Sequence, residues 1–344
     1  MIDQIFPLAP DQILPLAFAG IIGFGLLMYV LMDGFDLGVG ILFPAAASDG
    51  DRDIMMNTVA PIWDGNETWL VLGGAGLFGA FPLAYGVILS ALYLPLTVML
   101  IALVFRGVAF EFRFKAGKNK FLWDMAFSGG AIVCTFAQGV TLGAFIQGFE
   151  VVDNGFAGGD FDWLTPFSIM TGFALIPGYA LLGATWLILK TEGALQEWAY
   201  SMAMAHLVLM LIFMSAISLW TPVLDPAIAE RWFSWPNILY LSPVPLAVGV
   251  TSVVLVIKLR AKAELAPFLL SLFLFWLGFS GLAISLWPNM IPPDITIWEA
   301  ASAPESQSFM IWGFVILVPI ILAYTTYSYW VFRGKVTQDS GYLH

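Results

Sequence analysis

The sequence predicts an all-α membrane protein with nine transmembrane helices. Hydrophobic residues make up 60% of the 344 residues and charged residues only 11%, and the mean hydropathy is +0.88. A soluble chain of this length needs far more polar surface, because its core hides only part of the chain. Apolar segments recur along the sequence, and no connection is long enough for a separate soluble domain.

Nine segments reach the roughly 20 apolar residues that a helix needs to cross a bilayer. They are approximately Gln12–Met32, Ile54–Ala80, Pro82–Phe105, Leu122–Ile146, Leu164–Leu189, Trp198–Trp220, Asn237–Leu259, Glu264–Trp287 and Phe309–Phe332. Little more than Phe81 and Pro82 separates the second and third segments, which predicts a tight hairpin of antiparallel helices. Pro61 leaves two alternatives open, because the second helix either kinks there or begins there.

The distribution of Lys and Arg predicts the orientation. With the N-terminus outside, the inside connections hold 12 of the 13 basic residues and only Arg231 lies outside. Positive charge stays preferentially on the cytoplasmic side, so we expect an N-out, C-in topology. The outside loops are acidic, which explains much of the net charge of −11. We therefore expect neither a basic partner nor binding to nucleic acid.

The first polar cluster is Asp33-Gly34-Phe35-Asp36-Leu37-Gly38-Val39-Gly40. Asp33 and Asp36 are three residues apart, so both face one side of a helix. Gly34 and Gly38 form a small-xxx-small pair, which allows a neighbouring helix to approach closely. Two interpretations are open: acids that function within the membrane, or solvated acids where the helix ends at the inside surface.

The second polar cluster contains Asp64 and Glu67, which also share one helix face. If the helix begins near Ile54, Asp64 lies roughly 15 Å along it and is a candidate buried proton carrier. If the helix begins at Pro61, Asp64 lies in its first turn, where the helix dipole stabilises a negative charge.

The third polar cluster, at the end of the third segment, includes Arg106 and Glu111. Antiparallel packing of the second and third segments would bring Arg106 near the level of Asp64 or Glu67. The alternative is a basic anchor that extends to the lipid headgroups. Because the acids converge at the same end of this hairpin, the sequence favours a functional pairing.

The histidines predict no metal or haem site in this chain. His206 lies in an apolar helix, where a lone histidine is usually a satisfied hydrogen-bond donor between helices. His344 is the last residue, and the single Cys134 excludes a cysteine cluster.

The residues alone allow two functions. One is a subunit of a respiratory complex that conducts protons along acids at its inside face and contacts a lipid-soluble partner. The other is a secondary transporter, a class that often shows matching halves. The charged clusters occur only in the first half of this chain, which weakens the transporter interpretation.

The three clusters together resemble subunit II of the cytochrome bd ubiquinol oxidases. The similar stretches are 32–40, 57–69, 77–82, 106–113 and 318–325, and the stretch 106–113 resembles the cyanide-insensitive branch in particular. The resemblance covers the whole chain and is most specific before Lys115.

This resemblance implies one membrane domain with helices 1–4 in 12–146 and helices 5–8 in 164–287. These would be two four-helix bundles, with a peripheral ninth helix in 309–332. It implies a heterodimer in the bacterial plasma membrane with a related subunit I, which carries two b-type haems and one haem d or b. Such a complex oxidises quinol, reduces oxygen to water with cytoplasmic protons, and generates a membrane potential without pumping. The family also allows a small single-helix subunit and bound phospholipids.

The resemblance also assigns residue roles. Asp64 matches the acid of the proton pathway, Glu111 matches a second acid at its entrance, and Asp33 and Asp36 match the acidic pair of the first helix. Glu67 stands where some members carry Gln, which adds an ionisable group to this path.

A second set of matches concerns a structural quinone. Trp63, Asp64 and Arg106 match residues near a tightly bound ubiquinone in some members.

Overall fold

The computed structural model describes residues 10–337, which fold into α-helices joined by short connections. The helices are α1 (Pro10–Leu42), α2 (Asp49–Val59), α3 (Trp63–Ala80), α4 (Pro82–Ala91), α5 (Tyr93–Phe112), α6 (Lys120–Gln147), α7 (Pro166–Lys190), α8 (Gly193–Leu224), α9 (Pro226–Phe233), α10 (Asn237–Leu241), α11 (Pro243–Arg260), α12 (Leu265–Leu286) and α13 (Pro304–Val331). Two small antiparallel hairpins pair β1 (Val151–Val152) with β2 (Gly155–Phe156) and β3 (Asn289–Ile291) with β4 (Ile295–Thr296).

The first helix is longer than its apolar segment. α1 continues ten residues beyond the predicted end at Met32, and its 33 residues span about 50 Å. Asp33 and Asp36 are 0% and 1% exposed, so the interpretation of solvated acids at a helix end is wrong. The helix continues through both acids because each of them has a polar partner inside the fold.

The second predicted segment is two helices. α2 ends at Val59, and α3 begins at Trp63 directly after Pro61 and Ile62. The alternative in which one helix starts near Ile54 and buries Asp64 partway along its length is therefore wrong. Asp64 lies instead in the exposed first turn of α3, which is the second of the two alternatives.

The third predicted segment is also divided, at Leu92, and α5 extends seven residues beyond the predicted end at Phe105. α5 packs along α6, whereas α3 packs along α1. The predicted tight hairpin is thus limited to the connection at Phe81. α3 and α5 meet again at Gly107, where an added Cβ would lie 3.2 Å from the ring of Trp63.

The other six predicted spans match α6, α7, α8, α10 with α11, α12 and α13 to within about five residues at each end. Within residues 10–337, eight helical stretches are long and apolar enough to cross a membrane, and α3 is not one of them. The count of nine spans, the two bundles and the N-out, C-in orientation stay predictions.

α1 is the central helix, and it packs against α3, α6 and α7. Its closest approach is to α7, where an added Cβ on Gly38 would lie 1.9 Å from the main-chain oxygen of Tyr179. A Cβ on Gly183 would in turn lie 2.3 Å from the carbonyl carbon of Gly38. The close helix contact predicted for the small residues of the first cluster is confirmed at Gly38.

The two ends of the helical assembly differ in charge. We call the end with the connections 43–62, 113–119 and 332–337 the basic end, and the opposite end the acidic end. Lys190 at the end of α7 donates hydrogen bonds to the carbonyls of Phe332 and Gly334 beyond α13. At the acidic end, Gln307 of α13 donates to the carbonyl of Ala80, with a distance of 3.1 Å. α13 is thus fixed at both ends, although few of its side chains are buried.

Candidate functional site

A buried ion pair joins α1 to α5. Nη1 of Arg106 lies 2.7 Å from Oδ1 of Asp33, and neither side chain is exposed. Nη2 of Arg106 lies 3.7 Å from Oε2 of Glu67, whose side chain is 26% exposed. Removing one partner of a buried pair typically costs about 3–5 kcal/mol, because the other charge is left uncompensated. The predicted proximity of Arg106 and Glu67 is present, but the closest carboxylate is that of Asp33.

Two packing features hold Arg106 in place. α6 crosses α5 beside it, since an added Cβ on Gly130 would lie 3.2 Å from the Cβ of Arg106. Its guanidinium carbon also lies 5.9 Å from the ring centroid of Trp63. Trp63 in turn stacks on Phe110 with centroids 5.0 Å apart and an interplanar angle of 10°. The alternative of a basic anchor that extends to the headgroups is therefore wrong for Arg106.

Asp36 has neutral partners. Nδ2 of Asn66 donates to Oδ2 of Asp36 with a distance of 2.7 Å. The hydroxyl of Tyr329 on α13 donates to Oδ1 of Asn66 with a distance of 2.9 Å. A phenol, an amide and a carboxyl group thus form a chain across α13, α3 and α1.

A second hydrogen-bonded chain lies on the other side of α1. The hydroxyl of Tyr179 donates to Oε1 of Gln138 at 2.9 Å, and Nε2 of Gln138 donates to the hydroxyl of Tyr29 at 2.5 Å. Tyr29 lies one helical turn before Asp33. Polar contacts therefore extend from the acid cluster into the interface of α1, α6 and α7.

The cluster contains more acids than bases. Asp33, Asp36 and Glu67 provide three carboxyl groups, and Arg106 provides one cation. An uncompensated charge inside a protein or a bilayer is costly. With all three carboxyl groups ionised the cluster would carry a net charge of about −2, and it is neutral only when two of them hold protons.

The other two predicted pathway acids do not join this cluster. Asp64 is exposed in the first turn of α3, one turn before Glu67. Glu111 is exposed near the end of α5, where its side chain is 63% exposed and lies 3.7 Å from Nζ of Lys115. Asp64 and Glu111 both lie nearer to the basic end than Asp33 and Arg106 do.

A second buried cation stabilises the basic end. Arg113 is fully buried and forms ion pairs with Asp53 of α2 and Asp124 of α6. Lys120 also lies 2.7 Å from Asp53. Burial works to raise the pKa of Asp53, but hydrogen bonds from Lys120 and Arg113 outweigh it and hold this pKa below its usual value. In the sequence, Arg113 is a basic residue of an inside connection and the last residue of the stretch 106–113, and no ion pair was predicted for it.

Five residues of the two hydrogen-bonded chains were not predicted: Tyr29, Asn66, Gln138, Tyr179 and Tyr329. Each is an uncharged polar side chain, so neither charge nor hydropathy marks it. For Asn66 and Gln138 the available signal was an amide side chain within an apolar segment, since such a group needs a hydrogen-bond partner when it is buried. Asn66 had a stronger signal, because it lies between Asp64 and Glu67.

The histidine prediction can be tested at His206 alone, because His344 lies outside the described residues. The ring nitrogen Nδ1 of His206 donates to the carbonyl of Met202 at 2.8 Å. This hydrogen bond lies within one helix, whereas the sequence analysis expected a hydrogen bond between helices. Across residues 10–337, no group of three or more His, Cys, Asp or Glu side chains is placed to hold a metal ion.

Comparison with known proteins gives consistent matches. The family model for cytochrome bd terminal oxidase subunit II matches residues 14–332. The chain is 27% identical over 356 residues to the cytochrome bd-I ubiquinol oxidase subunit 2 of Escherichia coli (strain K12), covering 93% of this chain and 94% of that protein. It is also 27% identical over 319 residues to the cytochrome bd ubiquinol oxidase subunit 2 of Bacillus subtilis (strain 168), covering 90% and 93%.

A solved structure shows the same fold. The bd oxidase from Geobacillus thermodenitrificans superposes with a TM-score of 0.75 at 17% identity, covering 90% of this chain and 96% of that chain. None of these similarities favours a secondary transporter.

Proposed function

Because this chain belongs to the cytochrome bd terminal oxidase subunit II family, we propose that it is the haem-free second subunit of a bd-type quinol:oxygen oxidoreductase. It stabilises a haem-bearing subunit I and supplies part of the path by which cytoplasmic protons reach the oxygen-reducing site. The observation that carries the proton role is the buried cluster of three carboxyl groups around the single cation Arg106.

The proposed path runs from the surface to this cluster. Glu111 and Asp64 are exposed and can take protons from water or from a covering subunit. Glu67 is partly exposed and touches Arg106, so it connects the surface to the buried pair. Asp33 and Asp36 lie at the inner end of the path, about 14 Å and about 9 Å along α1 from its end at Leu42.

The proposed partner surface is the face of α3 and α5 around Asp64. Large apolar side chains are exposed on these two helices, namely Val71 and Phe78 on α3 and Val104 and Phe105 on α5. Subunit I covers this face in our proposal, so that Asp64 and Glu67 open towards the haem subunit. A small single-helix subunit and phospholipids would cover other apolar faces. With the basic end cytoplasmic, the complex lies N-out, C-in in the bacterial plasma membrane.

The cofactors of the proposed complex belong mainly to subunit I, which holds two b-type haems and a haem d or b. A structural ubiquinone bound to this chain is a further proposal. Of its three candidate residues, Trp63 and Asp64 reach the surface, whereas Arg106 has no exposed side-chain surface. A quinone can therefore contact Trp63 and Asp64 directly, and Arg106 contributes by holding the ring of Trp63.

The test is purification of the tagged chain with its native membrane partners in mild detergent. We expect a haem-bearing subunit to co-purify, with haem bands in the reduced-minus-oxidised spectrum and oxygen uptake driven by quinol. Asp64→Asn should preserve the haem content and slow oxygen uptake. A haem-free preparation without oxygen uptake would contradict the oxidase proposal, and unchanged turnover in Asp64→Asn would remove Asp64 from the path.

A further inference from the structure

The two acids of α1 lie three residues apart and have different partners. Oδ1 of Asp33 lies 2.7 Å from Nη1 of Arg106. Oδ2 of Asp36 accepts its hydrogen bond from the neutral amide of Asn66, also at 2.7 Å. Among the described residues, ion pairs within this cluster involve Asp33 and Glu67 but not Asp36.

This difference decides which acid can exchange a proton. A cation in direct contact stabilises the ionised form of a buried carboxyl group, and a neutral amide compensates far less of the charge. Asp33 is therefore kept as the anion that balances Arg106. Asp36 has no such partner, and both its neutral and its ionised form can accept the hydrogen bond from Asn66.

The orientation of the Asn66 amide depends on α13. An amide can present either its oxygen or its nitrogen to a neighbour. Because the hydroxyl of Tyr329 donates to Oδ1 of Asn66, the NH₂ group faces Asp36. The ring of Tyr329 is held by Phe35 and Trp186, whose centroids lie 6.4 Å and 6.0 Å from it.

We propose that Asp36 is the proton-carrying carboxyl group of the pair, that Asp33 is the permanent counter-ion of Arg106, and that Tyr329 is a positioning residue acting through Asn66. The proposal rests on the proposed function of a proton-conducting subunit. In each cycle Asp36 accepts one proton and releases one, so its charge returns to the starting value.

Two neutralising variants separate the roles of the acids. Asp36→Asn keeps an oxygen that accepts from Asn66 but holds no exchangeable proton. We expect this complex to assemble and to reduce oxygen roughly 100-fold more slowly, the size of a typical acid–base contribution. Asp33→Asn leaves Arg106 with only the more distant and partly exposed Glu67 as a counter-ion, so we expect loss of assembled complex. The double variant Asp33→Asn/Arg106→Gln removes both charges and should restore assembly.

Infrared difference spectroscopy of the purified complex tests the protonation directly. We expect the carbonyl stretch of a protonated carboxyl group to vanish in Asp36→Asn and to persist in Asp33→Asn/Arg106→Gln. Tyr329→Phe should shift this band and slow turnover without loss of assembly. The matched control is Tyr327→Phe, on the exposed face of the same helix, which should leave the band and the turnover unchanged.

Several results would overturn the assignment. A carboxyl band that vanishes with Asp33 instead of Asp36 would reverse the roles, and full turnover in Asp36→Asn would remove Asp36 as a carrier. An unshifted band in Tyr329→Phe would exclude the positioning role. If the unaltered complex showed no quinol-driven oxygen uptake, the proposed function would fail, whereas the infrared and assembly measurements would still decide the roles of the two acids.

Discussion

Replacing Gly38 by alanine is expected to destabilise the protein, because the methyl group has no space. The added Cβ would lie 1.9 Å from the main-chain oxygen of Tyr179 and 2.7 Å from the main-chain nitrogen of Gly183. Ordinary contact begins at 3.4 Å, so the backbones of α1 and α7 would have to separate by about 1.5 Å. Such overpacking typically costs about 1–3 kcal/mol, and here the obstacle is backbone, not a movable side chain.

The matched control is Gly23→Ala in the same helix. An added Cβ on Gly23 meets nothing within 4 Å, and alanine is favoured over glycine in a helix by up to about 1 kcal/mol. We therefore expect the two variants to differ in sign when thermal unfolding in detergent is compared with the unaltered protein. Equal stability of Gly38→Ala and Gly23→Ala would refute the close approach of α1 and α7.

Two further predictions concern the basic end. Hydrogen bonds hold the pKa of Asp53 in the folded protein below its usual value. Asp53 therefore contributes stability at pH values above its pKa in the unfolded chain, about 3.9. This contribution is lost as the pH falls through the lower pKa of the folded protein. Asp53→Asn should therefore flatten the loss of stability on acidification, measured by thermal unfolding from neutral to acid pH, and an unchanged pH dependence would contradict this. Lys190→Met should leave two main-chain carbonyls beyond α13 without their donor, at a cost of about 1.5–3 kcal/mol. Hydrogen exchange should then rise in residues 332–336 and stay unchanged in the control Lys258→Met, at an exposed position; equal protection in both variants would exclude this anchor.

Most spans could be predicted from the sequence, because a long apolar run in lipid has few alternatives to a helix. The ends of the first three spans could not. Hydropathy ended the first helix at Met32 since Asp33 and Asp36 lower the local average. The structure continues the helix because Arg106 pairs with Asp33 and Asn66 donates to Asp36, and both partners are distant in sequence.

The residues of the site were predicted better than their pairing. Arg106 was expected beside Asp64 or Glu67 because consecutive spans were assumed to pack as a hairpin. In the structure α6 packs against both α1 and α5, and Arg106 of α5 meets Asp33 first and Glu67 second. Periodicity gives the face on which a residue lies, but not which helix covers that face. Tyr329 was missed for the same reason, since the sequence does not show that α13 lies against α3 and α1.

The wide spacing of the cluster along the chain has a consequence for biogenesis. Asp33 and Arg106 are 73 residues apart, which corresponds to about 4–15 s of synthesis at typical rates. The first helix must therefore enter the bilayer while its two acids lack their partners, at an insertion cost of up to about 3 kcal/mol each. The apolar run 12–32 has to carry that insertion unaided. Tyr329 is the last residue of the cluster to be synthesised. A nascent chain without α13 can therefore form the ion pair of Asp33 and Arg106, but its Asn66 lacks the hydroxyl of Tyr329 that orients the amide.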